Sequence, residues 1–128
     1  MRILLDTHIL LWAAANSPSL PATARNMINT PSSQLFFSAA SIWEVSIKNS
    51  LGKPDFQVDP SLLYAALMGA GYQELPILSS HTIGVGALPH HHNDPFDRLL
   101  VAQAIAEGML LVTHDSAIAQ YPGPIRKL

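Results

Sequence analysis

The chain contains no cysteine. That excludes a disulfide framework, a thiolate nucleophile and a cysteine-based zinc site, and it fits a reducing cytoplasm. Charge is scarce as well: charged residues are 12% of the 128, against a usual share of about 25%, so each charged position asks for a reason. Basic excess is also missing. A formal net charge of -2 argues against a broad cationic surface that grips nucleic acid. Bound divalent cations can still bridge an acidic site to a phosphate, so a site that handles phosphates in this way needs no basic surface. No apolar run approaches the roughly 20 residues that would span a bilayer. Arg2, the apolar residues after it and Ala13 to Ala15 loosely resemble a secretory signal, but Asp6 and His8 interrupt them. A mature, soluble, cytoplasmic protein with no membrane partner is expected.

What is present reads as one α/β unit. A chain of this length can bury roughly two-thirds of its unfolded surface, and without an internal repeat or a linker one domain over residues 1–128 is expected. Ile3-Leu4-Leu5, Leu35-Phe36-Phe37 and Leu110-Leu111-Val112 read as buried strands. Glu74 to Ile77 is a weaker strand because Pro76 removes a ladder donor, and a short terminal strand is placed around Ile125. Helix starts fall at Ser19 or Leu20 before Pro21, at Asp59-Pro60 and at Asp94-Pro95. Leu99, Leu100, Ala102, Ile105 and Ala106 follow a helical period that Gly108 stops. Residues 39–51 form a further helix with Ala40, Trp43, Ile47 and Leu51 along its apolar stripe. Apolar strands that alternate with helices indicate a mainly parallel sheet covered on both sides.

The nine acidic residues separate by context. Asp55, Asp59, Glu74 and Glu107 lie at turns, caps or element ends, where a solvated carboxylate is ordinary. Asp6 and Asp115 each fall at the carboxyl end of a buried strand, the side on which open α/β sheets place ligands. Each also suits a helix cap. Glu44 suits an i,i+4 pair with Lys48, yet it borders an apolar stripe, where an acid needs a partner or a metal. Asp97 sits near a helix start, where the macrodipole favours an acid. A shared site accounts for all four together. Carboxylates brought close repel unless a cation sits between them, and oxygen ligands without cysteine favour Mg²⁺ or Mn²⁺. Such ions activate water and stabilise charge on phosphoryl oxygens.

Other features admit two roles. His90-His91-His92 reads as a loop flanking the site rather than a zinc tract, and His8 and His114 suit either substrate contact or an outer layer around the metal. Arg98 suits a phosphate contact or, more simply, a pair with a neighbouring acid. Trp12 and Trp43 are expected in the core.

Four segments, Leu5 to Trp12, Ser41 to Val45, Asp94 to Ala104 and Leu111 to Asp115, make the chain resemble the PIN-domain family, and within it the VapC-like ribonuclease toxins of type II toxin-antitoxin pairs. Their order and spacing cover nearly the whole chain. The resemblance implies a three-layer α/β/α sandwich with a mainly parallel central sheet and a Mg²⁺- or Mn²⁺-dependent endoribonuclease acting on RNA. It places the family acids at Asp6, Glu44, Asp97 and Asp115. Thr113 matches the hydroxyl residue that often precedes the fourth acid and helps hold a water at the metal, and Asp94 matches a helix cap lining the site. It also implies a homodimer and a cognate antitoxin protein that covers the acidic cleft.

Two other acidic Mg²⁺ domains fit less well. A phosphorylation-dependent receiver module calls for adjacent acids after the first strand, where this chain has Leu5 and Asp6. An aspartyl-nucleophile phosphatase calls for a second aspartate two positions on, where this chain has His8.

Overall fold

A computed structural model describes residues 1–128. Five strands form one sheet: β1 (Arg2–Leu5), β2 (Gln34–Ser38), β3 (Gln73–Leu75), β4 (Leu110–Thr113) and β5 (Ile125–Lys127). Their order is β3-β2-β1-β4-β5, and every pairing is parallel. Six α-helices, α1 (Thr7–Ala14), α2 (Ala22–Asn29), α3 (Ala39–Ser50), α4 (Pro60–Gly69), α5 (Ser79–Val85) and α6 (Pro95–Glu107), complete an α/β/α sandwich.

The alternation of strand side chains divides the core in two. Ile3, Leu5 and Val112 pack with Ile9 and Leu10 of α1 and with Leu63 and Leu67 of α4. Leu4 and Leu111 point the other way, onto Leu100, Val101 and Ala104 of α6. Both faces of the central strands are covered, which is why they read as unbroken apolar runs. The chain runs outward from β1 in one direction through β2 and β3, then returns to β4 on the other side. At this reversal the connections leave the carboxyl ends in opposite directions and open a crevice. Asp6 follows β1 and Asp115 follows β4 closely, so both stand at its mouth.

Local chemistry fixes most helix ends. Asp94 caps α6 by accepting from the amides of Phe96 and Asp97, and Pro95 occupies the first turn, where its missing N–H costs nothing. Gly108 ends the helix in the left-handed region at φ 65°. Asp59 and Pro60 start α4 in the same way.

Four expectations change. Helix α2 starts from Pro21 itself, with no side-chain cap from Ser19 or Leu20. Strand β3 stops at Leu75, before Pro76, which cannot extend the ladder. Helix α5, which has no marked apolar period, was not foreseen; the buried His81 ring accepts from the Leu78 amide at its start. The stripe on α3 divides: Ala40 is buried as expected, but Trp43 is 55% exposed and Leu51, just past the helix end, 66%, and the buried side is completed by Ser41, Glu44 and Val45. A helical period identifies a stripe but not the side on which neighbours lie, and here the inner side runs past the crevice and carries polar groups. Trp43 therefore does not belong to the core.

Candidate active site

The crevice is a cleft of about 350 Å³ whose walls include Asp6, Glu44, Asp94, Asp97 and Asp115 together with Lys48, His8, Trp12, His92 and His114. All four acids selected from the sequence, and Asp94, thus line one space.

Asp6 is only 4% exposed. Its Oδ1 accepts from the Ile9 amide at 2.9 Å and so caps α1, while Oδ2 accepts from the Thr113 hydroxyl. Burial raises its pKa, against the opposing pull of the Thr113 and Ile9 hydrogen bonds and the charge of His8. The hydroxyl of Thr113 also accepts from the Asp115 amide at 3.0 Å. Thr113 is fully buried, and its hydroxyl links the Asp6 carboxylate to the backbone amide of Asp115. Asp115 is exposed and its Oδ1 accepts from the Ala117 amide at 2.7 Å. Across the crevice, Thr7 at the start of α1 donates to Ser41 of α3 at 2.9 Å, fixing the helix that carries Glu44.

Glu44 is 3% exposed. Its Oε2 accepts from Lys48 Nζ at 2.6 Å, the i,i+4 pair anticipated from spacing, while Oε1 is buried without any partner. Lys48 lies over the faces of Phe56 and Phe96, with Nζ 4.9 and 5.9 Å from their centroids. Burial works against its ammonium, but the hydrogen bond and charge of Glu44, with the charges of Asp94 and Asp97, outweigh this and raise its pKa.

Asp97 is pushed up to about 7, first by burial, then by the charge of Asp94 and more weakly by that of Glu44. The His92 ring, 2.8 Å from Asp97 Oδ2, opposes the rise. His92, Asp94 and Asp97 have ligating atoms within 4.8 Å of one another, and no other three such residues in the chain do. The four acids share a cleft, then, but no three of them bring ligating atoms that close together.

The donor set fits a hard divalent cation. It consists of carboxylate oxygens and one imidazole, and one of those oxygens, Glu44 Oε1, is buried with its hydrogen-bonding capacity unused, a costly arrangement unless something positive meets it.

Arg98 pairs with no neighbouring acid. Its guanidinium, 9% exposed, donates to the carbonyls of Val85 and Pro89 and to the Tyr121 hydroxyl, which in turn donates to the His92 carbonyl. It clamps the loop that presents His92. Three cleft residues were missed or undervalued. Trp12 packs against the core, as expected, but is only half-buried and also forms part of the cleft wall. His92 reaches Asp97 across the turn before α6, a contact that five-residue spacing does not signal, and Lys48 was visible only as a helix partner.

Residues 3–124 match the family model described as PIN domain. Among solved structures, the chain is similar to one in VapBC2 from Rickettsia felis, bound to a DNA fragment from their promoter. The two are 18% identical over 99% of this chain and 98% of that one, with a TM-score of 0.73. DNA-bound VapBC from Salmonella typhimurium gives the same identity and coverage at a TM-score of 0.69. VapBC-1 from nontypeable Haemophilus influenzae does so at 0.63. No curated protein matches the chain.

Proposed function

The chain belongs to the PIN-domain family, and from that premise we propose that it is a divalent-metal-dependent endoribonuclease, the toxin of a toxin-antitoxin pair. The observation that carries the reading is the crowding of carboxylates at the sheet's switch point, where Asp97 is held near neutrality and Glu44 Oε1 is buried without a partner. Asp6, Glu44, Asp97 and Asp115 would hold Mg²⁺ or Mn²⁺, with Asp94 and His92 beside them. When bound, such an ion lowers the pKa of water and stabilises charge on phosphoryl and leaving oxygens.

The chain's own residues supply the rest. Asp6 is locked by the Ile9 amide and the Thr113 hydroxyl, so its oxygens are already oriented when a ligand arrives. Lys48 is the one lysine or arginine on the cleft wall, placed to neutralise a phosphate when it leaves Glu44. His92 holds the Asp97 carboxyl in position from the loop that Arg98 and Tyr121 fix. The strand order also speaks against the receiver reading, since such domains have order 2-1-3-4-5 where this sheet has 3-2-1-4-5.

The toxin role rests on the likeness to chains of VapBC complexes and brings with it a homodimer and a cognate antitoxin covering the cleft. The chain has no helix long and apolar enough to cross a membrane. Purified protein should cleave single-stranded RNA with Mg²⁺ or Mn²⁺, and Asp6→Asn or Asp97→Asn should abolish cleavage while leaving the protein folded. Full activity in both variants would overturn the assignment. Induced expression should arrest growth and be relieved by the product of an adjacent small open reading frame; harmless expression would contradict the toxin role.

A further inference from the structure

Affinity for a nucleic acid cannot come mainly from basic side chains in this cleft. Five carboxylates line it against one lysine, and that lysine is already bound to Glu44. Part of the wall is aromatic. His8 and Trp12, four residues apart on α1 and so on one face of it, have ring centroids 6.0 Å apart. Trp12 meets His114 edge-on at 5.7 Å, and His8 meets Phe56 at 5.6 Å. His8 and His114 are exposed and Trp12 is half-buried, although all three line the cleft that holds the acids. His8 is two residues beyond Asp6 and His114 directly precedes Asp115, so the rings flank the acids at both strand ends.

On the premise of the proposed function, we propose that His8, Trp12 and His114 form a stacking subsite that seats an unpaired nucleobase beside the acidic cleft. Stacking on such rings accepts any base, because every base has a π face, and supplies affinity that does not depend on ion pairs. A paired base is already stacked and hidden within its duplex, so the subsite selects single strands. Binding that draws on few cationic contacts also has a shallow dependence on salt.

The test uses the Trp43→Phe protein, in which Trp12 is the only indole. A mixed-sequence 12-nucleotide single-stranded RNA, the same sequence as single-stranded DNA, and the RNA duplex are titrated in Ca²⁺, and cleavage of the RNA is followed separately in Mn²⁺. The single strands should quench Trp12 emission and the duplex should not. Trp12→Ala should raise KM about tenfold with kcat within about twofold, and Trp12→Phe should recover most of the loss. His114→Ala, at an exposed position, should shift KM in the same direction. Equal quenching by the duplex, or KM within twofold of the parent in both alanine variants, would overturn the subsite. Single-strand quenching without cleavage of any strand would support the subsite and overturn the nuclease reading instead; cleavage with unmoved KM would do the reverse.

Discussion

Thr113 donates its hydroxyl proton to Asp6 Oδ2 across 107 positions of sequence and accepts from the Asp115 amide with the same oxygen. One buried hydroxyl therefore ties the Asp6 carboxylate after β1 to the backbone of Asp115 after β4, in addition to the Asp6 amide bond to the Val112 carbonyl.

Thr113→Val keeps the side chain's shape and removes the hydroxyl, leaving Asp6 Oδ2 and the Asp115 amide without their partner. Urea unfolding should show a loss of roughly 1–3 kcal/mol, and Mn²⁺ affinity measured by calorimetry should fall. Thr113→Ser should retain both. A valine variant with unchanged stability and affinity would mean that the contact positions nothing.

The raised pKa of Asp97 links stability to pH with a definite sign. Its carboxyl is protonated in the folded cation-free protein up to about 7, against 3.8 as the ordinary value. The folded state therefore binds the extra proton between those values, and stability falls as pH rises through that window. The span corresponds to several kcal/mol at about 1.36 kcal/mol per pKa unit. Asp97→Asn should match the wild type near pH 4 and exceed it near pH 8 in the absence of divalent cations. Cation binding near pH 6 should release a proton, seen as a buffer-dependent calorimetric enthalpy. Parallel pH profiles for the two proteins would contradict the account.

Lys48→Met leaves the Glu44 carboxylate buried with neither oxygen paired. The cation-free protein should lose roughly 3 kcal/mol at neutral pH, and saturating Mn²⁺ should reverse much of the loss by replacing the missing charge. Thermal unfolding with and without Mn²⁺ measures this directly. A destabilisation that Mn²⁺ does not touch would place Glu44 outside the cation site.

The legible parts of the sequence were those written in local chemistry. Asp94-Pro95 and Asp59-Pro60 announce helix starts because cap and proline act within one turn, and Gly108 announces a stop because few other residues adopt its backbone angle. Asp6 and Asp115 could be placed at strand ends for the same reason. What escaped depends on partners far along the chain. The guanidinium of Arg98 is used by Val85, Pro89 and Tyr121, none of them its sequence neighbour, so its clamp on the His92 loop left no periodic trace. Trp43 and Trp12 share apolar helical surroundings, yet Trp43 faces outward and Trp12 lines the cleft, a difference set by the packing of whole helices.

The central claim is that these carboxylates form a site for a divalent cation, and a crystal grown with Mn²⁺ and measured for anomalous scattering tests it most directly. The account predicts a Mn²⁺ peak within the cleft, with Glu44 Oε1 and a carboxylate oxygen of Asp97 among its ligands and Lys48 Nζ displaced from Glu44. A cleft without Mn²⁺ at saturating concentration, or Mn²⁺ bound only elsewhere, would contradict it.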